Sequence, residues 1–181
     1  MKKIVSLSIL ILIFSFNGNN RTVLEENDYP ESRLRAIGWH DLTQAQRNQA
    51  ILSRAYQDNG QYVGLDCKQW VKAVVAAASD NCVLFPLRAN GPYDWYWNIE
   101  PYINGRLGLI QSAVPGEIIR MIIKSNGGPH VAIVAGITST QITFIESNWC
   151  NSAACKTVST RTMAFSVFYD QVSDYAIYRI L

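Results

Sequence analysis

Histidine is scarce in this chain: its 181 residues hold two, His40 and His130. Cysteine is limited to Cys67, Cys82, Cys150 and Cys155, and none of their spacings is a paired Cys-x-x-Cys. That composition argues against a zinc centre, and no metal or organic cofactor is expected. Basic runs are absent and the formal net charge is only +2, which argues against a general nucleic-acid binder. No apolar stretch after Phe16 is long enough to cross a bilayer, which takes roughly 20 residues. Internal repeats and low-complexity tracts are absent too.

What is present begins with an export-type leader. Lys2 and Lys3 precede an apolar run from Ile4 to Phe16, which ends at Asn17-Gly18-Asn19-Asn20. Residues 1–18 are read as a signal peptide, and 19–42 as an N-terminal arm or linker. Removing the leader takes Lys2 and Lys3 with it and brings the formal charge to zero. The expected location is the periplasm or the extracellular space, with no stable membrane insertion. Residues 43–181 are large enough for one domain with one core.

Two helices should open that domain. Thr43 and Gln46 have capping-box spacing, and Ile51, Leu52, Ala55 and Tyr56 form an apolar stripe that Asp58-Asn59-Gly60 stops. The second helix starts at Cys67. Trp70, Val71, Val74, Val75 and Ala78 fall at helical spacing for a core face, and Ser79-Asp80-Asn81 ends it. Residues 83–112 are irregular and aromatic, with Trp95 among rings that either line a groove or pack their own loop. Later segments read as strands: Glu117–Ile123, His130–Ile137, Gln141–Ser147, Arg161–Val167 and Tyr175–Leu181. Helices first and an antiparallel meander after is an α+β arrangement, with N-terminal helices packed on an antiparallel sheet.

Cys67 carries the most information. On the first turn of a helix, unpaired N–H groups and the helix dipole favour a thiolate. Those N–H groups could also stabilise an oxyanion. The competing reading makes Cys67 half of a disulfide, since export permits such bonds. Cys150 and Cys155 are close enough in sequence to clip one loop. Asp66, just before Cys67, is placed to cap the helix.

The second half of the site is a hairpin. If it closes through Ser139, His130 lies across from Asn148, and Glu146 shares their face. One sheet end would then gather an imidazole, a carboxylate and a carboxamide. A shift of one residue sends Glu146 and Asn148 to the other face. A thiol needs a neighbouring base to take its proton, and that base needs a polar partner to orient it.

Four segments together resemble the CHAP family of cysteine, histidine-dependent amidohydrolases/peptidases, relatives of the NlpC/P60 group. They are Asp66-Cys67-Lys68-Gln69-Trp70-Val71, Pro115-Gly116-Glu117-Ile118-Ile119, Gly128-Pro129-His130-Val131-Ala132-Ile133-Val134 and Ile145-Glu146-Ser147-Asn148-Trp149. The resemblance implies a papain-like fold, with Cys67 as nucleophile and His130 as base. It implies Glu146 as the orienting group and Asn148 as an assistant or oxyanion donor. Asp66, Trp70, Tyr62, Trp95 and Trp149 are the substrate contacts expected around them. The implied substrate is an amide bond in peptidoglycan or its peptides. The chain departs from the usual patterns at Lys68-Gln69, at Glu117 in place of aspartate, and at Pro129 between glycine and histidine.

Two other readings stay open. One is a non-catalytic binding module with a Cys67–Cys82 disulfide. The other is an exported toxin acting on another cell's wall, for which an inhibitor or immunity protein would be a further partner.

Overall fold

The computed structural model of the protein describes residues 38–83, 103–104, 109–125, 127–149 and 155–180. The signal peptide 1–18, most of the arm, Trp95 and Cys150 lie outside the described residues. Helix α1 spans Gln44–Gln57 and α2 spans Cys67–Ala78. Thr43 caps α1: its N–H and the Gln46 side chain meet at 2.8 Å, and its Oγ1 accepts from the Gln46 N–H at 3.3 Å. Gly60 (φ +80°) follows α1, and Asp80 and Asn81 take positive φ after α2, as stop signals of those residue types should. The core reaches back to Trp39 and Leu42, both buried against the helices.

The strands are β1 (Ile103–Asn104), β2 (Ile118–Ile123), β3 (Pro129–Ile137), β4 (Gln141–Glu146), β5 (Ser159–Ala164) and β6 (Val172–Ile180). Their order in the sheet is β1-β6-β2-β3-β4-β5, with antiparallel pairing throughout. This is an α+β architecture of N-terminal helices on an antiparallel sheet, consistent with a papain-like fold. Two expectations are corrected. The segment Arg161–Val167 is not one strand: a short helix α3 (Phe165–Gln171) begins inside it. Its Phe165 and Phe168 are buried against the far face of the sheet, which the helix covers. The chain also does not continue as a meander. After α3, β6 returns to pair with β2.

Alternation along the strands builds two cores. Val131, Ile133, Ala135 and Ile145 face α1 and α2, packing with Ile51, Leu52, Trp70, Val71, Val74 and Val75. Ala132, Val134, Phe144 and Met163 face the other way, under Phe165 and Phe168 of α3. The central strands β2 and β3 are therefore buried on both faces, which is why they read as near-continuous apolar runs. No described helix is long and apolar enough to cross a membrane.

The Pro115-Gly116-Glu117 turn is set by close packing. Gly116 has φ +86°, and a Cβ there would lie 2.1 Å from the Asn48 carbonyl oxygen on α1. Glu117 is buried, yet fully partnered. It accepts from the Val114 N–H at 2.9 Å and from Arg179 Nε and Nη2 at 3.0 and 2.8 Å.

Candidate active site

Cys67 is the first residue of α2 and is buried. Asp66 is the N-cap, and the Gln69 side chain closes the capping box by accepting from the Asp66 N–H at 3.3 Å. The loop before the cysteine is tied down from the far side of the chain. Ser147 Oγ donates to the Leu65 carbonyl at 3.0 Å, and Lys156 Nζ reaches the Gly64 carbonyl at 3.3 Å and Asp66 Oδ1 at 3.2 Å. Backbone bonds from Val63 to Lys156 and from Gly60 to Val158 hold the same loop against the chain entering β5.

His130 lies near the start of β3 and Glu146 ends β4, at the same end of the sheet. His130 pairs with Met121, which places it on the α3 side rather than the helix side. Its Nε2 is 2.9 Å from Glu146 Oε2. Nδ1 is thus the nitrogen left for the thiol, and the ring forms a hydrogen bond with Cys67 as well. Burial of the ring works against its charge. The hydrogen bonds to Cys67 and Glu146, together with their charges, outweigh it and raise the His130 pKa from 6.5 to about 9. An imidazolium is therefore favoured at neutral pH.

The register that brings these groups together depends on an irregularity. Residues Thr138 to Gln141 make a tight turn, with Ser139 and Thr140 at its tip and the Thr138 N–H donating to Gln141. Ile137 pairs with Ile142 beside it, a register centred between Ser139 and Thr140 rather than on Ser139. Continued unbroken, that register would put Glu146 on the opposite face from His130. A bulge at Ala135 absorbs one residue, and beyond it Ile133 pairs with Ile145. His130 and Glu146 then share a face.

The other expected residues divide. Trp149 meets the His130 ring edge-on, with centroids 5.0 Å apart. Asn148 has φ +62°, and its N–H donates to the Cys155 carbonyl at 2.8 Å. Its side-chain amide donates to Asp66 at 3.4 Å, and its own Oδ1 is buried without a partner. It therefore braces the cysteine loop and makes no bond to His130. Tyr62 is largely exposed beside that loop, bridged to Thr157. Trp70 is corrected as a substrate contact: it is fully buried in the helix-side core, and its indole N–H donates to Asp58 at 2.9 Å. Cys155 is disulfide-bonded, whereas Cys67 and Cys82 are both free. A Cys67–Cys82 bridge is thus absent.

Three contributors were not singled out from sequence. Ser147 is one, although alternation between Glu146 and Asn148 already turns it towards the helices. Lys156 and Arg161 are the others. Arg161 Nε lies 2.5 Å from Glu146 Oε1, and its guanidinium stands 4.2 Å over the Trp149 ring. It reaches Glu146 diagonally, from the position on β5 opposite Phe144. Among the described residues, no group of three His, Cys, Asp or Glu side chains is arranged to hold a metal ion.

No protein-family model matches this chain, and no curated protein does. Among solved structures it is similar to Ly7917. The crystal structure of Ly7917 with the hydrolyzing product of MDP matches at 17% identity and a TM-score of 0.51, over 74% of this chain and 63% of that one. A second crystal structure of Ly7917 matches at 16% identity and a TM-score of 0.51, over 74% and 62%. This chain thus spans less than two thirds of the length of the Ly7917 chains, and the likeness is one of fold.

Proposed function

We propose that this protein is an exported thiol hydrolase that cleaves an amide bond in the peptide part of peptidoglycan. The observation that carries the reading is the buried contact row Cys67–His130–Glu146 at the N-terminus of α2. The fold shared with a protein crystallised with the hydrolyzing product of MDP supports the substrate class, taking MDP as muramyl dipeptide.

In this mechanism His130 takes the Cys67 proton through Nδ1, giving a thiolate–imidazolium pair. Sγ attacks the carbonyl carbon of the scissile amide. First-turn N–H groups of α2 hold the oxyanion of the tetrahedral intermediate. As that intermediate collapses to a thioester, the imidazolium gives its proton to the leaving amine. His130 then removes a proton from water, hydroxide adds to the thioester, and Sγ leaves as thiolate. Glu146 keeps Nε2 protonated throughout, which fixes the tautomer and supports the charged ring.

The test is digestion of purified peptidoglycan, and of MDP itself, with mass identification of the fragments. Native protein should release two kinds of fragment, one ending in a new carboxylate and one in a new amine, and Cys67→Ala should release neither. Equal release by Cys67→Ala would overturn the proposal. So would native protein that cleaves neither substrate while Cys67 remains unreactive towards iodoacetamide.

A further inference from the structure

Glu146 presents one oxygen to His130 and the other to Arg161. Cys67, His130 and Glu146 are each more than nine-tenths buried, while the Arg161 side chain, 35% exposed, closes the row on its outer side. Four elements contribute one group each: α2, β3, β4 and β5. We infer that Arg161 is a positioning residue of this site, whose guanidinium completes an alternating row of thiolate, imidazolium, carboxylate and guanidinium and so allows a thiolate to form in a buried cluster. The inference rests on the hydrolase reading above.

The argument is a count of protons. With Arg161 in place, a neutral thiol beside a neutral imidazole gives the cluster no net charge, and the ion-paired form gives none either. The proton can pass from Sγ to the ring without changing the buried charge. Take the guanidinium away and both forms carry one uncompensated negative charge, which burial penalises. The cluster then recovers neutrality by binding one further proton, as a neutral thiol beside an imidazolium and a carboxylate. A thiolate appears only when that proton leaves, at higher pH.

The surrounding charges do not replace Arg161. Glu146 is faced by His130 from β3 and by Arg161 from β5; His130 is faced by Cys67 and Glu146. The adjoining pair Asp66–Lys156 balances itself. Trp149 holds the geometry, with its edge against His130 and its face under the guanidinium. That stacking leaves Nε aimed at Glu146, so the arginine acts through the carboxylate.

The experiment is the rate of Cys67 alkylation by iodoacetamide against pH, read by peptide mapping with exposed Cys82 as the internal reference. Arg161→Met keeps an aliphatic stem over Trp149 and removes the charge. Its low-pH limb should move up by about one unit, an approximately tenfold slower alkylation on the limb. Arg161→Lys should restore most of the shift. A folded Arg161→Met with the native limb overturns the inference and leaves the hydrolase reading standing. A native chain whose Cys67 reacts no faster than Cys82 at pH 6 overturns the hydrolase reading and the inference with it. Should Arg161→Met fail to fold, Arg161→Gln compared with Arg161→Lys decides on the same criterion.

Discussion

His130 Nε2 and Glu146 Oε2 lie 2.9 Å apart, with both side chains almost fully buried. An imidazole so placed should hold its proton well above the ordinary range, and its pKa is raised from 6.5 to about 9. The sign of the stability effect follows. A raised value means that protonated His130 stabilises the fold, fully below pH 6.5, and that this contribution is lost as pH climbs through about 9. Thermal denaturation of native protein from pH 6 to 10 should show a fall in Tm over that interval, and His130→Gln should flatten it.

Glu146→Gln keeps the shape of the side chain and removes its charge. His130 then loses one of the two partners that raise its pKa. The high-pH limb of hydrolysis should move down from about 9 towards 6.5, and turnover should fall by about 10²–10⁴. A pH–rate profile of the variant checks both. An unmoved limb would remove Glu146 from the mechanism.

The thiol count separates the enzyme from the disulfide-bonded module. Cys67 and Cys82 are free and Cys155 is bonded. Purified protein, denatured without reductant, should show two titratable thiols per chain. Modification at pH 6 in the folded state should reach Cys67 first.

Two glycines with positive φ should respond differently to alanine. At Gly116 the new methyl would meet the Asn48 backbone at 2.1 Å, whereas at Gly127 (φ +62°) it meets nothing within 4 Å. Gly127→Ala should cost about 1–2 kcal/mol, the strain of the left-handed backbone alone. Gly116→Ala should cost several times as much, because α1 must shift away from the turn. Urea denaturation of both variants gives the comparison.

Trp70 offers a check on the corrected assignment. Trp70→Phe removes the indole N–H that Asp58 accepts at 2.9 Å and leaves a void in the helix-side core. The expected loss is about 1–3 kcal/mol of stability. KM should stay at its native value, since the ring has no exposed surface for substrate to touch.

Much of the fold is legible because local signals agree with the final packing. Thr43 and Gln46 announce α1, and both stop signals end their helices where positive φ is needed. The α3 helix was not legible. Phe165, Val167 and Phe168 suit a strand locally, and only the uncovered far face of the sheet makes Phe165 and Phe168 more useful on a helix. Arg161 was illegible for a related reason. Its reach to Glu146 depends on the register of β5 against β4, and no short turn joins those strands to fix it.

The sequence by itself determined that a cysteine would open a capped helix, since Asp66, Gln69 and the apolar stripe from Trp70 specify that turn through contacts within four residues. It also determined which strands carry His130 and Glu146. Tertiary structure decided that the two share a face. The turn at Ser139–Thr140 sets one register, and the bulge at Ala135 replaces it with another. No local preference fixes such a bulge: with Val134 and Phe144 buried on one face and Ile133 and Ile145 on the other, it is the packing of both cores at once that selects the pairing.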